Sequence, residues 1–117
     1  MEKLIARLQE LTVRKQRFTY DLRSDCLVYS GIVSAYRATM DSEHFADLAA
    51  VVEHAQQHDG IIGGWRDPLD GRLNLDSCRL FTDVAGALRF AQHEGQRSVY
   101  NLNREEEVHV EAKVIAA

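Results

Sequence analysis

Proline is nearly absent from this chain: Pro68 is the only one, alongside one tryptophan (Trp65) and two cysteines (Cys26 and Cys78) in 117 residues. No stretch is low in complexity, so order is expected nearly throughout. Two cysteines cannot build the disulfide framework of small secreted domains, and a reducing, cytoplasmic setting is the simplest expectation. Long apolar runs are also missing. Runs such as Ala49-Ala50-Val51-Val52 and Val84-Ala85 fall far short of the roughly 20 residues that span a bilayer. Glu2, Arg7 and Glu10 interrupt the N-terminal apolar positions, unlike the core of a signal peptide. No membrane partner is expected.

Charge is ordinary in amount and uneven in placement. The net charge is −4, which argues against a general nucleic-acid binder. Residues 1–23 hold six Lys/Arg against three Asp/Glu, a surplus of +3, and the remaining residues hold eight against fifteen, or −7. A basic helix on an acidic body could touch an acidic partner, although a solvated helix face is the commoner use of such a pattern.

Periodicity predicts a single α+β domain over residues 1–117, an N-terminal helix (1–16) followed by a body (17–113). Leu4, Ile5, Leu8 and Leu11 form one helical stripe. Residues 17–22 alternate as a half-buried strand, and residues 26–38 read as extended, with Gly31 as a bulge or break. Asp41 or Ser42 is expected to cap a second helix with the stripe Phe45, Leu48, Ala49, Val52 and Ala55, stopped by Asp59-Gly60. Residues 60–66 and 72–81 read as strands joined by the turn Asp67-Pro68-Leu69-Asp70-Gly71. Thr82-Asp83 caps a third helix that buries Val84, Ala87, Leu88 and Ala91 and ends at Gly95. Residues 98–102 and an edge strand from Glu107 to Lys113 follow. The expected order is α-β-β-α-β-β-α-β-β, with three helices on one face of a mostly antiparallel sheet.

Chemistry is thinly marked. Gly63-Gly64 permits positive φ or a close backbone approach, but no phosphate-loop pattern surrounds it. Trp65 beside Arg66 and Asp67 has the make-up of an interaction hot spot, and Tyr36 is a further candidate contact. The plainer expectation is that Trp65 caps the core. His54 and His58 stand at i, i+4, a spacing able to share a metal; His44 points elsewhere and no third ligand is evident, so no metal and no cofactor are expected. Cys78, with His93 and Asp76, supplies the groups a small enzyme would use. A strand cysteine among alternating neighbours is more often a small buried hydrophobe. Glu105-Glu106-Glu107 reads as a solvated charge run.

Several of these segments recur together. Gly31-Ile32-Val33-Ser34-Ala35-Tyr36, then Asp59-Gly60-Ile61-Ile62-Gly63-Gly64-Trp65, then Leu75-Asp76-Ser77, Asp83 with Ala87-Leu88-Arg89-Phe90-Ala91, Gly95-Gln96 and Val99-Tyr100-Asn101-Leu102 resemble small conserved proteins of phages and conjugative elements. The resemblance runs from Gly31 to Val110. It implies a mobile-element context and brings no catalytic residues. Small acidic proteins of such elements often bind a host protein, for instance to inhibit a restriction or CRISPR effector (an anti-CRISPR role). The leading expectation is therefore a non-enzymatic protein-binding accessory protein. A homo-oligomer joined through Leu4, Ile5, Leu8 and Leu11, and a small enzyme using Cys78, His93 and Asp76, are the alternatives.

Overall fold

The N-terminal stripe folds as helix α1 (Glu2–Arg14), with Glu2 in its first turn and Arg14 in its last, each favourable to the helix dipole. Ile5 and Leu8 on its inner face are 0% exposed, worth about 1.5–3 kcal/mol each as buried aliphatic side chains. The structure is a computed structural model, and it describes residues 2–37 and 45–110.

Strands β1 (Arg17–Asp21), β2 (Cys26–Leu27) and β3 (Ile32–Ala35) come next, then helix α2 (Phe45–Gln57), the hairpin strands β4 (Ile61–Arg66) and β5 (Leu73–Phe81), helix α3 (Val84–His93), and strands β6 (Ser98–Asn101) and β7 (Glu106–His109). The expected α+β class holds, with three helices and one seven-stranded antiparallel sheet among the described residues. The order differs in one place. The extended stretch after Ser24 divides into two strands, and Gly31 at the break sits at φ +104, backbone that glycine adopts without strain. Asp41 and Ser42, the proposed caps of α2, the side chain of Phe45, and residues 111–113 of the last strand lie outside the described residues.

The strands lie in the order β2-β1-β4-β5-β3-β6-β7. Side chains alternate across this sheet, and all three helices cover one face. Phe18, Tyr20, Ile62, Leu73 and Leu75 meet α1 and α2 there, packed on Ile5, Leu8, Leu48, Val51, Val52 and Ala55. Ile32 and Val99 meet Ala87 and Ala91 of α3 on the same face. Asp83 caps α3, its Oδ2 accepting the Gly86 N–H at 2.8 Å, and Gly95 ends the chain reversal at φ +70. The opposite face of the sheet carries no helix among the described residues.

Neither Gly63 nor Gly64 needs its positive-φ freedom, since positive φ among glycines falls at 31, 60, 71 and 95. Gly64 is required because Phe18, its partner on β1, lays its ring edge across the position where a Cβ would stand. The close approach is that of a side chain, not of another backbone.

The uncovered face is concave. In a flat sheet, β1 and β6 are four steps apart, roughly 19 Å at about 4.8 Å per step. Yet the Arg17 guanidinium lies 4.3 Å from the centre of the Tyr100 ring, and its Nη2 is 4.0 Å from Glu107 Oε2 on β7. The sheet therefore curls enough for side chains of β1, β6 and β7 to meet over the open face.

Candidate functional site

The curl makes a trough. One cleft of about 240 Å³ lies over the middle strands. Its lining includes Arg17 and Thr19 from β1, Gly63 and Trp65 from β4, Asp76 and Cys78 from β5, Ala35 from β3, and Ser98 and Tyr100 from β6. A second cleft of about 350 Å³ opens between the sheet's ends, with Lys15, Leu27, Val28, Tyr29, Leu102 and Glu105 in its walls. Both share Arg17, Thr19 and Tyr100, so the Arg17–Tyr100 stack stands between them as a bridge.

Strand parity explains the lining. Trp65 and Gly63 are two residues apart on β4 and so share a face. Register sets Gly63 opposite Thr19 on one side and Asp76 on the other. Gly63 thus lies in the cleft among Thr19, Trp65, Asp76 and Cys78, and the Cys78 Sγ stands 3.0 Å from where a Gly63 Cβ would be, so the thiol takes up the space that a side chain there would need. Burial pushes the Cys78 thiol well above its usual range, and the Asp76 charge adds to the shift. Such a thiol stays protonated and is a poor nucleophile.

Trp65 is half-buried on the trough side. Arg66 projects to the other face, where its Nη1 donates to the Gly71 carbonyl at 2.5 Å. Asp67 is occupied by the turn: its Oδ1 accepts the Leu69 N–H at 2.8 Å and its carbonyl accepts the Gly71 N–H at 2.8 Å. Trp65, Arg66 and Asp67 are therefore not one patch. Only Trp65 belongs to the trough.

Tyr36 lies on the helix-covered face, in a polar seam between the two apolar clusters. Its hydroxyl donates to Asp59 Oδ2, and its ring stands 5.1 Å from the rings of His54, His58 and Phe90. Burial, then the Asp59 hydrogen bond and charge, push its phenol up to about 12. His54 Nδ1 is 2.9 Å from the Oγ of the fully buried Ser77, and His58 Nδ1 donates to the His54 carbonyl at 2.7 Å. Burial and the neighbouring His58 hold His54 below its ordinary value, with Glu94 pulling weakly the other way. The two imidazoles stack at 3.8 Å with planes 7° apart. A metal bound by both would have to lie in both ring planes, which parallel stacked rings do not allow. Among the described residues, no three or more His, Cys, Asp or Glu gather as a metal cluster.

The enzyme alternative places its groups apart. Cys78 and Asp76 face the trough, whereas His93 sits on α3, on the other side of the sheet, with its side chain 84% exposed. The stripe of the oligomer alternative is shared with the chain's own core: Ile5 and Leu8 are buried in it, and Leu4 and Leu11 pack against it partly buried. Among the described residues, no helix is long and apolar enough to cross a membrane.

Sequence reasoning missed Arg17, Tyr100 and Gly63 as trough residues. Parity could have set Arg17 with Thr19 and Gly63 with Trp65, but nothing local announces that β1 and β6 meet across the curl. No protein family, no curated protein and no solved structure matches the chain.

Proposed function

We propose that this protein is a non-enzymatic binding module, a cytoplasmic accessory protein of a phage or conjugative element that binds a host protein, foremost a restriction or CRISPR complex, and inhibits it. The observation that supports this reading is the trough: an uncovered, concave sheet face with a half-buried tryptophan and an arginine stacked on a tyrosine. Aromatic and arginine side chains in a partly desolvated hollow are the usual anchors of protein association. A protein partner suits the trough better than a nucleic acid. Its two clefts hold the cations Lys15 and Arg17 against the acids Asp76, Glu105 and Glu107, an excess of negative charge that repels a phosphate backbone.

Phage challenge tests the reading. A bacterium carrying a restriction or CRISPR system, and expressing this protein, is expected to plate a susceptible phage with higher efficiency. Trp65→Ala and Tyr100→Ala should abolish the gain, and Arg66→Ala, which faces away, should keep it. Equal protection by all three variants would remove the trough from the function, and no protection against any such system would remove the inhibitor reading.

A further inference from the structure

We infer that the cleft over the middle strands receives an uncharged hydrogen-bonding side chain, the carboxamide of a glutamine or asparagine, from an extended segment of the protein partner. This inference rests on the binding reading above and names the chemistry of its contact.

Polar groups left idle in the cleft carry it. The Thr19 hydroxyl, the Ser98 hydroxyl and the Trp65 indole N–H belong to residues that line the cleft, and none of the three has a hydrogen-bond partner among the described residues. Thr19 weighs most, being only 4% exposed. A hydroxyl so far removed from water and left without a partner is a cost to the fold. A guest that bonds to it removes that cost.

The charges in the cleft, by contrast, are engaged inside the chain. Arg17 lies over the Tyr100 ring and 4.0 Å from Glu107. Asp76 has its own partner within the chain. On the nearby Cys78 thiol the Asp76 and Arg17 charges act in opposite senses. A charged guest would lose its hydration here without gaining a partner of its own, which is costly. An uncharged guest avoids that penalty.

Donors and acceptors match a carboxamide. An indole N–H can only donate, and a hydroxyl can donate or accept. A carboxamide brings an acceptor oxygen for the indole and two N–H donors for the hydroxyls. Room agrees. A volume of about 240 Å³ is the space of about eight water molecules at roughly 30 Å³ each, enough for the end of one side chain. An extended segment passing over the sheet points alternate side chains toward it.

Peptide titration tests the inference, with Trp65, the only tryptophan, as the reporter. The probes are the capped pentapeptide Thr-Val-Gln-Val-Thr and three analogues with glutamate, arginine or methionine in the central place. Glutamate keeps the shape and adds a charge, arginine adds the opposite charge, and methionine keeps the length and loses the hydrogen bonds. The glutamine peptide should shift Trp65 emission saturably, and raising KCl should leave its affinity unchanged. Each analogue should bind about tenfold more weakly, the worth of about one hydrogen bond. Thr19→Val exchanges the hydroxyl for a methyl of like size and should bring the glutamine peptide down to the level of the methionine peptide. Ser98→Ala should act in the same direction, which keeps the test open if Thr19→Val folds poorly.

Equal binding of the glutamine and methionine peptides, a charged peptide that binds as tightly as glutamine, or no emission change with millimolar glutamine peptide overturns the inference. So does a glutamine preference that survives intact in both variants. The two readings fail separately. Phage protection that depends on Trp65, with a silent titration, removes the carboxamide and leaves the trough. A successful titration, with protection unaffected by Trp65→Ala, removes the host-defence role and leaves the carboxamide site.

Discussion

Gly64→Ala offers a sharp test of how the two halves of the sheet fit together. A methyl at this position would fall within the ring edge of Phe18, which is 4% exposed and held beneath α1 and α2. The ring has nowhere to retreat without disturbing the core. Overpacking of this kind costs about 1–3 kcal/mol, and the better strand propensity of alanine returns only about 0.5–1 kcal/mol. A net loss of about 1–2 kcal/mol is expected. Phe18→Ala should cost about 3–4 kcal/mol by leaving a cavity. The double variant decides the cause. With the ring gone, the added methyl sits in the vacated space, so the pair should cost no more than Phe18→Ala alone, a coupling of about 1–2 kcal/mol. Urea unfolding followed by tryptophan emission measures all four corners of the cycle. Additive losses, or a Gly64→Ala variant as stable as the parent, would refute the steric account.

Stability should fall as pH drops below about 6.5, because the native state favours neutral His54 and the unfolded chain takes up the proton first. Urea midpoints between pH 8 and pH 5 should show the decline, and His54→Gln should flatten it. At the alkaline end, Tyr36 holds its proton to about 12 in place of 10. The unfolded chain then ionises first, and stability should be lost over that interval, less steeply in Tyr36→Phe. Ser34 is 1% exposed, and its Oγ has no hydrogen-bond partner among the described residues. Ser34→Ala should therefore be neutral or stabilising by up to about 1 kcal/mol, and a thermal scan showing a clear loss would contradict that. Asp83→Ala removes the cap of α3 and should cost about 1 kcal/mol, read as a lower urea midpoint.

Sequence alone revealed what depends on near neighbours. The α3 helix was legible because its cap, stripe and stop lie within a dozen residues, and the β4–β5 hairpin because the Asp67–Gly71 turn carries its own hydrogen bonds. The two-residue strand β2 was not. It exists through pairing with β1, and two residues show no period. Gly63-Gly64 was visible as a pair, but its cause lay in Phe18 on another strand. Trp65, Arg66 and Asp67 looked like one patch because they are adjacent, and the period of two in a strand separates them. The trough is the least local feature of all. Arg17 and Tyr100 come from opposite ends of the chain and face each other only after the strands between them have taken their places.

Assembly of the sheet follows a constrained order. Strand β3 lies between β5 and β6, although it precedes both in the chain by a helix or more. The β4–β5 hairpin closes a short loop, while β3 must wait for partners distant in sequence, and such closures are slow and entropically costly. Until β3 is seated, β6 and β7 have no place beside the rest, and Arg17 has no Tyr100 to rest on. A ribosome-bound or truncated chain lacking β6 would then have helices and a hairpin but no trough. On the binding reading proposed above, recognition would be withheld from every incomplete copy, and the close approach of Arg17 to Tyr100 should lag the appearance of helical signal during refolding.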